Sequence, residues 1–228
     1  MMKLKTKKEE YNHFDKLANE WWDEHGKFSI LHQIRPIRMK YILDQINRKN
    51  IKNVNILDVG CGGGLISEPL AHLGANVTGI DFVKQNIVFA KKHSLKRNLK
   101  INYICTDIEK LNLNEKFDVI VMLEILEHLQ DWKKFLINIK KNLKKNGKII
   151  ISTINRNLVS KYLAIHFAEK ILKWIPLGTH EYEKFIKPEE IKNLALTNKL
   201  SFDNLIGLKY NPITNSWRLS KKTNVNYF

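Results

Sequence analysis

The residues most suited to ligand chemistry lie in a glycine-rich stretch, Asn55–Leu65, with the sequence NILDVGCGGGL. An apolar strand is predicted to run into Gly60, Gly62, Gly63 and Gly64, and a helix to begin directly after them. Glycines at such a turn let the backbone bend sharply and approach a ligand closely. In open α/β sheets, ligands bind over the carboxyl ends of the strands. The pattern D-x-G-x-G-G-G lacks the third glycine of G-x-G-x-x-G, which argues against a dinucleotide and leaves room for an amino-acid and ribose moiety.

Two acidic residues follow the next two predicted strands. Asp81 ends the second strand, 21 residues after Gly60, where an acid can accept hydrogen bonds from both ribose hydroxyls of a nucleoside. Asp107 follows the third strand and is expected near an adenine ring. For the glycines alone, a tight turn without a ligand is the alternative. Because strand, turn, helix and acid agree, we predict a nucleoside cofactor contacted by Gly60, Gly62, Asp81 and Asp107.

A second group of titratable residues lies in LEILEHL, residues 123–129. The E-x-x-E-H spacing places Glu124, Glu127 and His128 on one side of a helical turn. Two carboxylates and an imidazole can hold a divalent cation and leave sites open for a substrate. We therefore predict all three as metal ligands, and Glu127 and His128 also as catalytic residues. An ordinary turn that binds no metal is the alternative.

Three aromatic side chains complete the set of candidates. His180, in GTHEYEKF, is a candidate general base or substrate contact, because an imidazole titrates near neutral pH. A packed, hydrogen-bonded loop histidine is the equal alternative. Near the other end of the chain, Trp21 and Trp22 are predicted to pack as a lid rather than to stack on a substrate.

Alternating strands and helices must position these residues. Strand–helix alternation at this spacing predicts a parallel α/β sheet with helices on both faces, doubly wound and Rossmann-like, with an antiparallel edge near the C-terminus. The run FDVIVM is apolar enough to be buried on both faces of the sheet. The predicted strands are 55–59, 76–80, 101–105, 117–122 and 148–152, with edge strands at 201–209 and 225–228.

Two helical segments flank this alternation. Residues 1–50 are predicted to form an N-terminal helical cap, with Pro36 opening its second helix, and 51–228 to form the main domain. Within that domain, 158–175 is predicted as a long amphipathic helix, part of an insertion at about 156–178. Its apolar face could contact the boundary of an anionic membrane, or pack on the domain core as most such faces do.

Composition limits the classes of protein that remain. The chain has 228 residues, 43% apolar and 27% charged, which is typical of a globular domain and excludes disordered, collagen-like and coiled-coil proteins. Two cysteines, no apolar run long enough to span a membrane and no secretory signal predict a cytoplasmic protein. The net charge of +16 predicts attraction to polyanions, but 33 of the 39 basic residues are lysines, so a lysine-rich solvated surface is an equal explanation.

The glycine turn and its acid resemble those of the class I S-adenosylmethionine-dependent methyltransferases. Further motifs, in the same order along nearly the whole chain, resemble the ubiquinone-biosynthesis O-methyltransferases, which methylate catechol-type hydroxyls of polyprenyl intermediates. The glycine turn is generic to methyltransferases, whereas the first and last motifs are more specific. The motifs are FDKLANEWWDEHGKFSILHQIRPIR, LDVGCGGGLISEPLAHLGANVTGID, LEILEHL, STINRN, GTHEYEKFIKPEE and GLKYNPIT.

The resemblance implies several roles. S-adenosylmethionine is the expected cofactor, and Arg38, Gly60, Asp81 and Leu123 stand where the family contacts it; a guanidinium such as that of Arg38 can pair with the methionyl carboxylate. The expected substrates are 2-polyprenyl-6-hydroxyphenol and 3-demethylubiquinol. In eukaryotic members the E-x-x-E-H motif is linked to Mg²⁺, which could lower the pKa of a phenol from about 10.

The resemblance also implies a location, and three rival functions remain as alternatives. A polyprenyl substrate lies in the bilayer, so the enzyme is expected to be peripheral at the inner face of the membrane, in contact through 158–175. Membership of a ubiquinone-biosynthesis protein assembly is a further expectation. The rivals are another small-molecule methyltransferase, a nucleic-acid methyltransferase and a cofactor-binding protein without turnover. The [D/N]-P-P-[Y/F] tetrapeptide of base-amine methyltransferases is absent after the fourth strand, so no nucleic-acid substrate is predicted.

Overall fold

The computed structural model describes residues 7–46, 51–111, 113–161, 182–211, 213–214 and 216–228. These residues form two compact units, each assembled from separate stretches of the chain. The first unit comprises Lys7–Met122 and Asn138–Ile150, and the second comprises Leu123–Ile137 and Ile151–Phe228. The predicted functional division into a cap at 1–50 and a domain at 51–228 stays a prediction.

A parallel sheet forms the centre of the first unit. Its strands are β1 (Asn55–Val59), β2 (Asn76–Asp81), β3 (Asn102–Cys105) and β4 (Phe117–Leu123). Strand β1 pairs in parallel with β2 and β4, and β2 pairs in parallel with β3, so the order is β3-β2-β1-β4. The predicted parallel sheet is therefore confirmed. Parallel strands of one sheet end at the same edge, so the glycine turn after β1 and Asp81 at the end of β2 are neighbours.

Burial explains why β1 and β4 lie inside the sheet. Ile56 and Leu57 of β1 and Ile120 and Met122 of β4 have no solvent-exposed surface. From Val119 to Met122 every residue of β4 is buried, so both faces of the strand are covered there, as its apolar run predicts.

Four helices accompany this sheet. They are α1 (Lys7–Leu17), α2 (Ser29–Ile46), α3 (Ser67–His72) and α4 (Lys84–Lys96). The prediction that Pro36 opens the second helix is wrong, because α2 begins at Ser29 and Pro36 lies within it. The amide of Ser29 already donates to the carbonyl of Gly26, so the helix starts from that turn. Pro36 then removes only a single backbone donor from the helix.

The second unit contains the antiparallel edge. Strand β5 (Leu143–Ile154) contributes 143–150 to the first unit and 151–154 to the second, where β6 (Gly207–Asn211), β7 (Ser216–Ser220) and β8 (Asn226–Tyr227) follow. The strand order is β5-β8-β6-β7, and every pair is antiparallel. The predicted antiparallel edge is confirmed, although the sequence did not indicate β7. Among the residues that the structure describes, this part includes the helices α5 (Trp132–Ile139) and α6 (Pro188–Thr197).

A side-chain anchor lies between α5 and β5. Helix α5 ends at Ile139, and a short 3-10 turn follows. The side-chain nitrogen Nδ2 of Asn142 donates to the backbone carbonyls of Leu113 and Glu115, at 2.8 and 2.9 Å. These two hydrogen bonds hold the chain at Asn142, and β5 begins at the next residue.

Of the predicted 158–175 helix, only its first turn lies within the described residues: 158–161 is helical. The rest of that segment lies outside them. No helix among the described ranges has both the length and the apolar character needed to cross a membrane.

Candidate functional site

The glycine turn is built from two backbone features. Gly60 and Gly62 have φ values of 71° and 53°, in the left-handed region that favours glycine. The amides of Gly60 and Cys61 both donate to the carbonyl of Ile80, at 2.8 and 3.0 Å. The turn is thus fastened to the end of β2, the strand that carries Asp81.

Asp81 completes this fastening with its side chain. One carboxylate oxygen accepts from the amide of Gly62 at 3.0 Å, and the other accepts from the amide of Val83 at 2.8 Å and the Asn86 side chain at 3.4 Å. Burial raises the pKa of Asp81 to about 6, although these hydrogen bonds lower it, and the charge of Glu10 raises it further. At neutral pH the group is therefore mostly ionised, and its oxygens can accept further hydrogen bonds, since a carboxylate offers about four lone-pair sites.

A second buried acid lies under the turn and was missed by the sequence reasoning. Asp58 precedes the glycines on β1 and accepts a 2.6 Å hydrogen bond from the hydroxyl of Ser67 at the start of α3. Burial raises its pKa to about 6, against the bond from Ser67, and the charge of Asp81 adds to the rise. An acid inside an otherwise apolar strand, LDV, is the signal that could have identified it.

The remaining predicted cofactor contacts have different surroundings. Arg38 is buried on α2. Asp107 caps the 3-10 turn Ile108–Lys110 by accepting from the amide of Glu109, and it accepts a 2.7 Å bond from the ammonium of Lys7. Burial raises the pKa of Asp107, but the hydrogen bonds from Lys7 and Glu109 and the charges of Lys7 and Lys110 together outweigh it, so the net shift is downward. Leu123 is the half-buried last residue of β4.

Two tryptophans contact the glycine turn, and their role as a lid stays a prediction. A Cβ atom at either Gly62 or Gly63 would overlap with the side chain of Trp21, which fills the space those glycines leave. The indole N–H of Trp22 donates to the carbonyl of Gly63 at 2.9 Å, and its ring stacks on His93 with centroids 4.1 Å apart. The sequence alone does not indicate that these tryptophans contact the glycines, because residues 21 and 63 are distant in the chain.

The E-x-x-E-H motif folds differently from a helical turn. Glu124 follows β4 with a φ of 55°, in the left-handed region, and a 3-10 turn begins only at Leu126. One Glu124 carboxylate oxygen accepts from the hydroxyl of Ser152 at 2.5 Å and from the side chain of Asn226 at 3.2 Å. Glu124 is thereby held to β5 and β8, within the second unit.

Glu127 is a buried acid of that motif with a strongly raised pKa. Its side chain is buried, with 4% of the residue exposed, and one oxygen accepts from the hydroxyl of Thr153 at 2.9 Å. The other oxygen, Oε1, has no hydrogen-bond partner among the described residues. Burial and then the negative charge of Glu124 raise the pKa of Glu127 to about 8, while His128 lowers it. The carboxyl group therefore carries a proton over most of the neutral range.

This arrangement does not fit the predicted Mg²⁺ site. Among the described residues, no group of three or more His, Cys, Asp or Glu side chains is arranged to hold a metal ion. The prediction of Glu124, Glu127 and His128 as a ligand set stays a prediction, which this conformation does not support because Glu124 lies outside the 3-10 turn and Glu127 is buried. His180 lies outside the described residues.

Comparisons with known proteins identify the family. A family model described as a methyltransferase domain matches residues 57–151. The chain is 47% identical to the ubiquinone biosynthesis O-methyltransferase of Pelagibacter ubique over 228 residues, which covers 96% of this chain and 95% of that protein. With the same-named protein of Rickettsia akari, the identity is 43% over 224 residues, which covers 97% and 89%.

The chain belongs to the ubiquinone biosynthesis O-methyltransferases. As a member of this family it is an S-adenosylmethionine-dependent methyltransferase. A solved structure agrees in fold: the magnesium protoporphyrin IX methyltransferase of Synechocystis PCC 6803, with bound S-adenosylhomocysteine, has a TM-score of 0.70 at 18% identity and covers 97% of this chain and 99% of that chain. This chain thus places its glycine turn on a Rossmann-like sheet, as the sequence predicts.

Proposed function

We propose that this chain transfers a methyl group from S-adenosylmethionine to catechol-type hydroxyls of polyprenyl ubiquinone precursors, namely 2-polyprenyl-6-hydroxyphenol and 3-demethylubiquinol. The observation that carries the proposal is the 43–47% identity, over nearly the whole chain, with relatives named ubiquinone biosynthesis O-methyltransferase. The buried acid and the glycine turn supply a fitting place for a nucleoside cofactor.

The chain's own groups can hold that cofactor. Asp81 keeps acceptor capacity for ribose hydroxyls, and the turn at Gly60 and Gly62 exposes backbone close to the same edge of the sheet. Arg38 supplies a guanidinium for a carboxylate, and Asp107 and Leu123 stay proposed contacts. Bound S-adenosylmethionine supplies an electrophilic sulfonium methyl group.

A proton must leave the substrate hydroxyl, whose unperturbed pKa is about 10. Glu127 is a candidate acceptor only in its ionised fraction, which grows as the pH approaches 8; in that form it is a stronger base than an ordinary carboxylate. Its oxygen Oε1 has no hydrogen-bond partner among the described residues and could exchange that proton. His128 and His180 stay alternative bases. No step in this scheme uses a metal ion.

Access to a polyprenyl substrate supports a second part of the proposal, contact with an anionic membrane surface through 158–175. Leu158 and Val159, at the start of that segment, are 79% and 47% exposed. Apolar side chains beside lysines suit the headgroup boundary of a bilayer. Deleting 160–175 should abolish binding to phosphatidylglycerol vesicles and spare binding of S-adenosylhomocysteine, whereas unchanged vesicle binding would exclude this surface. Membership of a biosynthetic protein assembly is also proposed from the family.

The decisive experiment measures transfer of labelled methyl to a short-chain demethylubiquinol. Wild-type protein should label the quinol, and Asp81→Ala should bind S-adenosylhomocysteine at least tenfold more weakly, because a buried acceptor of the cofactor is lost. Labelled RNA in place of quinol would favour the nucleic-acid alternative. Cofactor binding without label in any acceptor would favour a binding protein without turnover.

A further inference from the structure

Trp21 lies in an aromatic cluster of the first unit. The residue is 8% exposed and ends the 3-10 turn Ala18–Glu20. Its ring stacks on Phe28 with centroids 4.0 Å apart and planes 6° apart, and more distantly on Phe14 at 6.4 Å. The carbonyl of Trp21 contacts the ring nitrogen Nε2 of His32 at 2.9 Å. These contacts fix the side chain in one orientation.

From this position the indole reaches two parts of the proposed cofactor site. Its ring and Cβ occupy the space beside Gly62 and Gly63 that any larger residue would fill. Its N–H donates to the side-chain oxygen of Asn86 at 2.8 Å. A single residue from the N-terminal segment thus contacts both the glycine turn and the beginning of α4.

The hydrogen bond to Asn86 has a consequence for Asp81. An indole N–H can only donate, so it selects the amide oxygen of Asn86 and directs the amide NH₂ group away from itself. That NH₂ group donates to Asp81 at 3.4 Å. Asn86 is buried, so its amide cannot exchange these partners for water without cost.

We propose that Trp21 is a positioning residue of the cofactor site, which supports the glycine turn by contact and orients the carboxylate of Asp81 through Asn86. The inference rests on the proposed role of Asp81 in binding the cofactor. Trp21 itself need not touch the cofactor for this role.

The charges around Asp81 allow a pH readout. Hydrogen bonds from Val83, Gly62 and Asn86 favour its ionised form, and Glu10 of α1 disfavours it. The other titratable neighbours are Asp58 of β1, Cys61 of the glycine turn and Cys105 of β3, each coupled to Asp81 by charge. Without an oriented Asn86 the carboxylate loses a donor, so its pKa rises. Cofactor binding should then fail at a higher pH than in the wild-type protein.

The test uses calorimetric binding of S-adenosylhomocysteine to the full-length chain. Trp21→Phe keeps a ring against the glycines and removes the N–H donor, so affinity should fall about three- to tenfold, the usual effect of one hydrogen bond. Asn86→Ala should cause a similar loss. The double variant should bind no more weakly than the weaker single variant, because both act through the same bond. Trp132→Phe, on α5, is the matched indole control.

Three results would overturn the inference: wild-type affinity in Trp21→Phe, losses that multiply in the double variant, or an acidic limb of the affinity profile that stays at the wild-type pH. Thermal unfolding identifies variants that fail to fold, and the Phe variant is chosen because it preserves the stacking. Asp81→Ala separates the two levels of the argument. If it binds S-adenosylhomocysteine normally, the proposed site itself is wrong; if it loses binding while Trp21→Phe does not, only the role of Trp21 is wrong.

Discussion

The buried carboxyl of Glu127 makes a strong prediction about stability and pH. Its folded-state pKa of about 8 lies above the ordinary value of 4.5 because burial and Glu124 disfavour the charge. The folded protein therefore holds a proton that the unfolded chain releases. The stabilisation that the proton on Glu127 gives to the folded state is fully present below about pH 4.5 and is lost as the pH rises towards 8.

The size of the effect follows from the two pKa values. Each unit of difference corresponds to about 1.36 kcal/mol, so the limiting loss is about 5 kcal/mol. Most of this stabilisation is lost between pH 5 and pH 8, where the free energy of unfolding should fall by about 3 kcal/mol. Asp58 and Asp81 have the same sign of shift, but their pKa values near 6 place their effect lower in the pH range.

Glu127→Gln removes the titration and keeps an acceptor for the hydroxyl of Thr153. Urea unfolding followed at pH 5, 6, 7 and 8 should show a shallower loss of stability than in the wild-type protein, with the two free energies of unfolding diverging by about 3 kcal/mol from pH 5 to 8. Glu183→Gln, on an exposed turn, should follow the wild-type curve. Parallel curves for Glu127→Gln and wild type would refute a buried, protonated Glu127.

Two further predictions concern the glycine turn and the metal. Gly63→Ala should lower the free energy of unfolding by about 1–3 kcal/mol through overlap with Trp21, and the same change should cost less in a Trp21→Ala background; equal costs in urea titrations of both backgrounds would contradict the packing. Methyl transfer to demethylubiquinol should persist in excess EDTA, because Glu124 and Glu127 are not arranged as metal ligands; activity abolished by EDTA and restored by Mg²⁺ would show that another conformation binds the ion.

The local sequence predicts the features that depend on neighbours in the chain. Glycines between an apolar strand and a helix identify the turn, and the strand end identifies Asp81. Parallel pairing of β1 with β2 then brings the two together without further information. The bond between Asp81 and the amide of Gly62 is the expected outcome of that pairing.

Features that depend on distant contacts could not be read in this way. The spacing of Glu124, Glu127 and His128 suggests a helix, but Ser152 and Asn226, from other parts of the chain, hold Glu124 in a left-handed conformation. Likewise, the end of α5 depends on Asn142 finding two carbonyls about thirty residues earlier. Periodicity carries no information about such partners.

The division of strand β5 between the two compact units also bears on synthesis of the chain. The glycine turn and Asp81 are made before 138–150, which belong to the same unit but follow an excursion of the chain into the second unit. Because translation proceeds at about 5–20 residues per second, several seconds separate the synthesis of Asp81 from that of the last residues of its unit. Until β5 is made, the edge of β4 opposite β1 has no partner strand, and fragments cut after β4 would keep that edge exposed.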